Sequence, residues 1–591
     1  MRRCFFQAGL FLFLPASLWG AGITYNVEFE GLHDQRALRT LRSISQLVAL
    51  RKKPPASVNA LRFRAESDVP ELIHALHSHG YLEAEVEVII AKEESDYSVT
   101  LMIHPGPLYR IEEFSLIIEG ETPGEIVDCP DTCFKNLGIS INDPLETNQI
   151  IDSELCALEV LSEWGYPLAI IKKREIIADG KTKRVKILIT IEAGPLASFG
   201  PSRVEGNTSV HYELIDQQIQ WCDGDRYDSC LVEGTQQGLM DTGLFSSVYI
   251  THADQVKREN ELPMKIEVAE TKHKSISLGA SYQKTFGGGV SFGWENRNVG
   301  GMGRKLLLQA DIAQRSHSGI ASYLIPNFQR MGQSIIIQGQ AFHESIKPYK
   351  MQSYSLFGRF DRQVDDCLFF GIGPRIEYMM VQSSVDNGNF LLLEAPLYLR
   401  WTNVKDCLNP ISGLRVEYRG TPAINSKDTS DFYYSQLLTV SSYFPFGREE
   451  GLVLAQKMTI GTIFSNGIGA IPVPNRFFGG SEINLRGYKY YTVSPLTDND
   501  KPIGGRSAIY YTVEPRFRIS HRIGIVPFFD VGNVYLTQLP KFTGKWRKSV
   551  GIGLRYFSFI GPIRIDLAFP LNRREGIDPH WWIFASLGQT F

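Results

Sequence analysis

The chain has 591 residues, 21% of them charged and 43% hydrophobic, a balance that excludes a disordered chain and a length that exceeds one ordinary domain. A formal net charge of -3 leaves no basic excess, so composition gives no electrostatic footprint for a nucleic-acid partner.

The N-terminus reads MRRCFFQAGLFLFLPASLWGAG. Arg2 and Arg3 precede an apolar core from Phe5 to Trp19, and small residues follow at Gly20 to Gly22. That order predicts a secretory signal peptide over residues 1–21. Pro15 interrupts the apolar core, which is shorter than the roughly 20 residues that span a bilayer. Cys4 lies before the core, the wrong side for a lipoprotein cysteine. No later stretch is both long and apolar, so a mature chain in a membrane must sit there as a closed barrel.

Without Cys4, seven of the eight cysteines remain: Cys129, Cys133, Cys156, Cys222, Cys230, Cys367 and Cys407. In an oxidising compartment the close pairs Cys129/Cys133 and Cys222/Cys230 could form local disulfides, with one cysteine left over. The C-x-x-x-C spacing also fits a metal site, but neither pair has a matching histidine cluster. His74, His77 and His79 in HALHSHG fall in a helix-like segment and read as exposed helix-end residues rather than ligands.

The front half repeats with a period under about ninety residues. HPGPLYRIEEFSLIIEG from His104 is echoed by EAGPLASFGPSRVEGN from Glu192. Before each copy a helix-like segment ends in a glycine turn and gives way to a strand, in ALHSHGYLEAEVEVII at 75–90 and VLSEWGYPLAIIKKREII at 160–177. A looser third copy is LMDTGLFSSVYITHA at 239–253. Each unit reads as strand, helix pair, glycine C-cap and two strands, a β-α-α-β-β order, over residues 22–106, 107–194 and 195–271. These units resemble POTRA domains, the periplasmic modules that precede outer-membrane assembly barrels. Their exposed sheet edges can accept an extended strand, and they can equally serve as spacers or docking arms.

From about Lys274 the helix-like texture vanishes. SISLGASY sets Ile276, Leu278, Ala280 and Tyr282 against Ser275, Ser277, Gly279 and Ser281. GPIRIDLAFPL sets Ile563, Ile565, Leu567, Phe569 and Leu571 against Arg564, Asp566, Ala568 and Pro570. A soluble sandwich also alternates. Some 320 residues without helices, aromatics at strand ends in YFPF, WWIF and FFDVGNVY, and the signal peptide favour a transmembrane antiparallel β-barrel over residues 272–591, with room for sixteen strands.

RFFGGSEINLRGY holds a tetrad, Leu485, Arg486, Gly487 and Tyr488, that is similar to the signature on the inward-folded sixth extracellular loop of the BamA/TamA superfamily. FFDVGNVY carries F-x-D-x-G at Phe528, Asp530 and Gly532, which resembles the barrel-wall pattern that receives the loop arginine. GGRSAIYYTVEPRF between them is also family-like, and the closing GQTF, with Gly588 and Phe591, resembles the terminal strand signal of such barrels. An arginine inside a barrel needs a partner, which Asp530 can supply through two hydrogen bonds, with Glu514 as a second candidate. Gly487 permits close approach, and Tyr488 can pack against the wall.

The resemblance implies an outer-membrane insertase or translocase that assembles β-barrel and autotransporter-type proteins without nucleotide, with its N-terminal domains in the periplasm. Clients are captured by POTRA edges and by a seam between the first strand, near Ser275 to Tyr282, and the last, near Ile583 to Phe591. Three repeats resemble the TamA branch, which implies a TamB-like inner-membrane-anchored partner beside unfolded clients and membrane lipid. A BamA-type general assembly factor and a dedicated two-partner-type secretion pore are the alternatives. The chain holds no G-x-x-x-x-G-K-[ST], G-x-S-x-G or H-E-x-x-H, so neither an enzyme nor a cofactor is expected.

Overall fold

The computed structural model describes residues 23–93, 96–120, 137–257, 260–283, 285–426, 431–447, 451–482, 484–559 and 561–591. The expected signal peptide and the Cys129/Cys133 pair lie outside them. The chain divides into two compact units: up to Glu205 with Gln218–Gly238 and Val248–Val268, and Gly206–Gln217 with Leu239–Ser247 and Ala269–Phe591.

Three small three-stranded sheets come first. The first is built from Tyr25–Glu30, Glu85–Glu93 and Asp96–His104, with helices Gln35–Ile44, Gln46–Ala49 and Val58–Ser78 between its first two strands. The last strand lies in the centre, parallel to the first and antiparallel to the second. The second sheet repeats this order with Arg110–Glu119, Ile170–Asp179 and Arg184–Glu192, and the helix Thr147–Glu163. The third uses Ser198–Glu205, Phe245–His252 and Glu261–Glu270, with helices Tyr212–Asp216 and Ser229–Asp241. The alternation in VTLMIH and VKILITI explains the central strands, since Val99, Leu101 and Ile103, and likewise Val185, Ile187, Ile189 and Ile191, point into buried apolar clusters. Gly80, Gly165 and Gly243 each take a positive φ just past a helix end, the left-handed conformation that terminates it.

One buried carboxylate organises the first repeat's helices. Asp68, on the long helix, accepts Ser45 Oγ at 2.6 Å and the amides of Gln46 and Leu47 at 3.0 Å each, so it caps the short helix from outside. The Cys222/Cys230 disulfide allowed by the spacing does not form. Both thiols are free, and Cys230 Sγ faces the Glu163 carboxylate at 3.6 Å. Desolvation, followed by the charges of Glu163 and Asp228, pushes that thiol up to about 11, so thiolate chemistry is suppressed.

The barrel sheet contains eighteen hydrogen-bonded segments in sequential order. They make sixteen strands. Leu368–Ile372 and Arg375–Ser383 both pair with Tyr349–Gln363 and are one strand broken at Gly373 and Pro374. Asn387–Glu394 and Leu397–Thr402 both pair with Gly413–Asn425, broken at Ala395 and Pro396. A proline removes a ladder donor, which is why each break falls where it does. The expected two-faced alternation is present. In Gly561–Pro570, Ile563 and Ile565 are exposed while Arg564 and Asp566 are buried, so the apolar face looks outward.

The ladder ends at two strands that each have one partner. Among the described residues Lys274–Gln283 pairs only with Gly287–Val299, and Trp582–Leu587 only with Gly561–Pro570. Leu278 is 81% exposed. The last strand is shorter than expected. Gly588 adopts φ +86 and turns the chain, so Gly588 to Phe591 lie outside the strand they were expected to close.

In the barrel unit, residues 208–210 are gathered by one carboxylate. Glu270 accepts the amides of Thr208 at 2.6 Å and of Ser209 and Val210 at 2.9 Å each, together with Ser209 Oγ. Burial opposes its charge, but these donors together hold its carboxyl down at about 2. A depressed carboxylate gives stability that is complete above its unfolded value near 4.5 and is lost as pH falls toward 2. Amide protection at 208–210, corrected for intrinsic exchange, is therefore expected to hold at pH 6 and decline between about 4.5 and 2; protection unchanged to pH 2 refutes this role. Asp68→Ala strands the buried amide of Leu47 and the part-buried amide of Gln46 and is expected to lower the local unfolding free energy of the first repeat by about 2–3 kcal/mol, read by hydrogen exchange across residues 46–49. Unaltered exchange there refutes the capping role.

Candidate functional site

The loop from Asn466 to Arg506 follows the strand Leu452–Ser465 and is the sixth connection at the barrel end remote from Lys274. It is folded against the inner wall rather than projecting outward. Its base is tied by paired bridges between Phe477 and Gly505 and between Gly479 and Val493. Arg476, itself buried, donates to the carbonyls of Ile471 at 2.9 Å and Ile503 at 3.0 Å, closing the neck. Contacts then reach around the wall. Asn475 donates to Tyr433 OH at 2.6 Å, Phe478 packs on Tyr349, and Tyr488 OH donates to Lys548 O at 2.9 Å.

At the tip Arg486 is 1% exposed. Its Nε and Nη2 donate to the two oxygens of Asp530 at 2.9 and 2.8 Å, a fork matched to a carboxylate, and its own backbone amide adds a third bond to Asp530 at 3.1 Å. Nη1 donates to Glu514 Oε1 at 2.7 Å and to Asp566 Oδ2 at 3.0 Å. The guanidinium carbon stands 3.5 Å from the centroid of the Phe528 ring, so the cation is stacked as well as paired.

The strands explain why these groups converge. Thr512 pairs with Asp530 and Asp530 with Ser549, so neighbouring inward positions stack across the ladder. Phe528, Asp530 and Gly532 share the inward face at a spacing of two. A Cβ at Gly532 would come within 2.6 Å of Tyr510, and one at Gly551 within 2.2 Å of the Phe528 ring. Both glycines make room for aromatic rings beside the arginine. Gly487, at φ +91, lets the loop backbone approach Phe569 and Pro570. Leu485 and Tyr488 join a buried cluster with Val493, Ala508 and Tyr510.

The cluster is larger than the tetrad and its expected acceptors. Glu514 also accepts both Nε and Nη2 of Arg516, at 3.2 and 3.1 Å. Asp566 also accepts Arg555 Nη1 at 2.6 Å, and Arg564 Nε lies 3.7 Å away. Three carboxylates thus share four arginines, and every member is buried. The turned-in end of the chain completes the set. Gln589 accepts from Arg555 Nε at 2.8 Å, Thr590 Oγ1 lies 3.4 Å from Arg486 Nη1, and Arg516 donates to Phe591 O at 3.1 Å. Gly588 and Phe591 therefore act beside the loop instead of in a terminal strand. Sequence reasoning missed Asp566, Arg516, Arg555 and Arg564 as members. The signal for Arg516, Arg564 and Asp566 was the charged side of EPRF and IRID, legible as an inward face but not as one shared cluster, and Arg555 in GLRYF lay outside both.

A second clamp holds the loop from the last connection. Arg574 donates to Thr492 O at 2.8 Å and Thr492 Oγ1 at 3.1 Å, while Asp578 receives its Nε and Nη2 at 2.7 Å each. Among the described residues no group of three metal-ligating side chains occurs, and His79 instead meets Thr40 Oγ1 at 3.0 Å.

Comparison with known proteins supplies the lineage. An Omp85 superfamily domain matches residues 298–591. The outer membrane protein assembly factor BamA of Nitratidesulfovibrio vulgaris is 23% identical over 540 residues, covering 87% of this chain and 66% of that protein, so the chain spans just under two thirds of that relative's length. BamA of Neisseria meningitidis serogroup B is 20% identical over 591 residues, covering 89% of this chain and 72% of that protein. The crystal structure of Haemophilus ducreyi BamA lacking POTRA domains 1-3 aligns with a TM-score of 0.68 at 20% identity, covering 81% of this chain and 100% of that one, a likeness of fold. Residues 298–591, which hold most of the barrel strands, are thus an Omp85 superfamily domain.

Proposed function

We propose that this protein is a BamA-type assembly factor that inserts β-barrel proteins, autotransporter-type clients among them, without nucleotide. It resides in the outer membrane, with its N-terminal domains in the periplasm. The observation that carries the reading is the pair of unmatched strand edges, Lys274–Gln283 and Trp582–Leu587, flanked by the buried Arg486 cluster. Backbone N–H and C=O groups left unpaired in hydrocarbon cost several kcal/mol each, so an edge of this kind favours a client strand that satisfies them. The client's own folding then supplies the driving free energy.

The lock belongs to this reading as the support of the edge. Asp566 lies on the strand that pairs with the final one, and Thr590 lies just beyond that strand. By binding both, Arg486 fixes the position of the last strands while the edge stays free. The relatives named above are BamA proteins, which favours the general assembly reading over a TamA-like one. The TamB-like partner rested on the TamA branch alone and has no further support.

The test is the insertion rate of a labelled outer-membrane barrel client into liposomes containing the native chain, a variant or no protein. The native chain is expected to accelerate insertion, while acceleration confined to one exported substrate would move the reading to a secretion pore and no acceleration would overturn it. Arg486→Ala leaves three buried carboxylates short of a partner, with an expected cost to barrel stability of about 3–5 kcal/mol, read as a lowered unfolding midpoint, and a loss of insertion. Arg486→Lys keeps the charge without the fork and is expected to fall between the two. Native midpoint and rate in Arg486→Ala would remove the lock from the mechanism.

A further inference from the structure

At the barrel end remote from Lys274, a cavity of about 320 Å³ is lined from four separate connections and the start of the last strand. Thr285 comes from the first hairpin, Arg315 from the second, Lys347 from the third, Lys489 and Tyr490 from the locked loop, and Trp582 from the final strand. No carboxylate is among the lining residues. Arg315 is held in place, its amide donating to Phe286 O at 3.2 Å and its Nη1 to Thr285 O at 3.2 Å, but neither bond neutralises its charge. Lys347 and Lys489 have no ion-pair partner among the described residues. The charges bearing most strongly on Lys347 are the like charges of Lys489 and Arg574. Of the opposing Asp500 and Asp578, the latter is already engaged by Arg574.

All three cations line the cavity as exposed residues, so water screens part of their mutual repulsion and an anion seated between them relieves the rest. Their separate origins suit an anion with several oxygens and more than one charge, which a phosphate has and a carboxylate lacks. The aromatic neighbours set the depth. Phe286 packs edge-on against Tyr490 with centroids 5.6 Å apart, Trp582 lines the cavity, and Trp581 is 50% exposed beside it. Of these, only Trp581 is exposed as the tryptophans of an interfacial girdle are, and it sets the level of the membrane–water boundary, where lipid phosphates lie.

We infer that this cavity binds a phosphate group, carried by a lipid headgroup of the outer leaflet, and that the bound headgroup bridges the first hairpin and the last strand across the mouth of the unpaired edges. The inference is independent of the client reading, since it concerns the ligand of a cationic cavity and not the insertion step.

The full chain in an uncharged detergent is titrated calorimetrically with dihexanoyl phosphatidic acid, with dihexanoyl phosphatidylcholine and with inorganic phosphate. Phosphatidic acid is expected to saturate the native protein and to bind about tenfold or more weakly to K347A/K489A, while K541A, an exposed lysine elsewhere, matches the native chain. Tighter binding of phosphatidic acid than of inorganic phosphate assigns a lipid source, and equal binding assigns free phosphate; both support the site. If K347A/K489A loses the heat-modifiable mobility of a folded barrel, K347R/K489R is used instead and is expected to retain binding. Absence of saturable binding, equal binding by K347A/K489A, or preference for phosphatidylcholine overturns the inference.

Discussion

One guanidinium with three carboxylates around it is the constraint on which the barrel's interior depends. Burying Arg486 without partners would cost far more than the fold could supply, and burying Asp530, Glu514 and Asp566 without Arg486 would cost as much again. Each charge is therefore tolerable only while the others are in place. A connection of 41 residues that has no regular core of its own is thereby given one position. The neighbouring features follow from this. Gly487, Gly532 and Gly551 clear space for the approach and for Phe528 beneath the cation, and the neck at Arg476 and the clamp at Arg574 fix the two sides of the same loop.

The cluster also links distant stretches of chain through short bonds. Arg486 reaches Glu514 across 28 residues, Asp530 across 44 and Asp566 across 80. Because Arg516 and Arg555 share those carboxylates, displacement of one member alters the balance for all the others. The loop, the wall and the end of the last strand are therefore one electrostatic body. A change at the strand edge is felt at the loop tip without any intervening mechanical element.

Local chemistry made much of this legible in the sequence. Gly80 and Gly165 ended helices because glycine tolerates positive φ, the apolar alternation of the central strands marked the repeats, and Arg486 with Asp530 and Glu514 stood out because an inward arginine requires a carboxylate. Features that depend on register were hidden. Asp566 was readable as a polar-face residue, but its place beside Arg486 is fixed by two strand pairings that leave no local trace. The inward turn after Leu587 was masked by a closing motif that reads as strand, and a single left-handed glycine decides it. The Cys222/Cys230 spacing suggested a bridge, whereas the fold directs Cys230 toward Glu163. The cationic cavity draws on connections up to about 300 residues apart, a distance at which no motif operates.

The broken strands carry a mechanical consequence. Counting round the sheet, the breaks at Gly373–Pro374 and Ala395–Pro396 fall in the seventh and eighth of sixteen strands, within about one strand of the point facing the unpaired edges. They adjoin one another, with Gly373 N donating to Pro396 O at 3.3 Å, and a Cβ at Gly373 would overlap the Gly358 carbonyl at 1.8 Å. A split ring that is spread at its gap bends most at the point facing the gap. Here that point adjoins a crease where ladder donors are already missing, so the wall can flex there while the hydrogen bonds on either side stay intact.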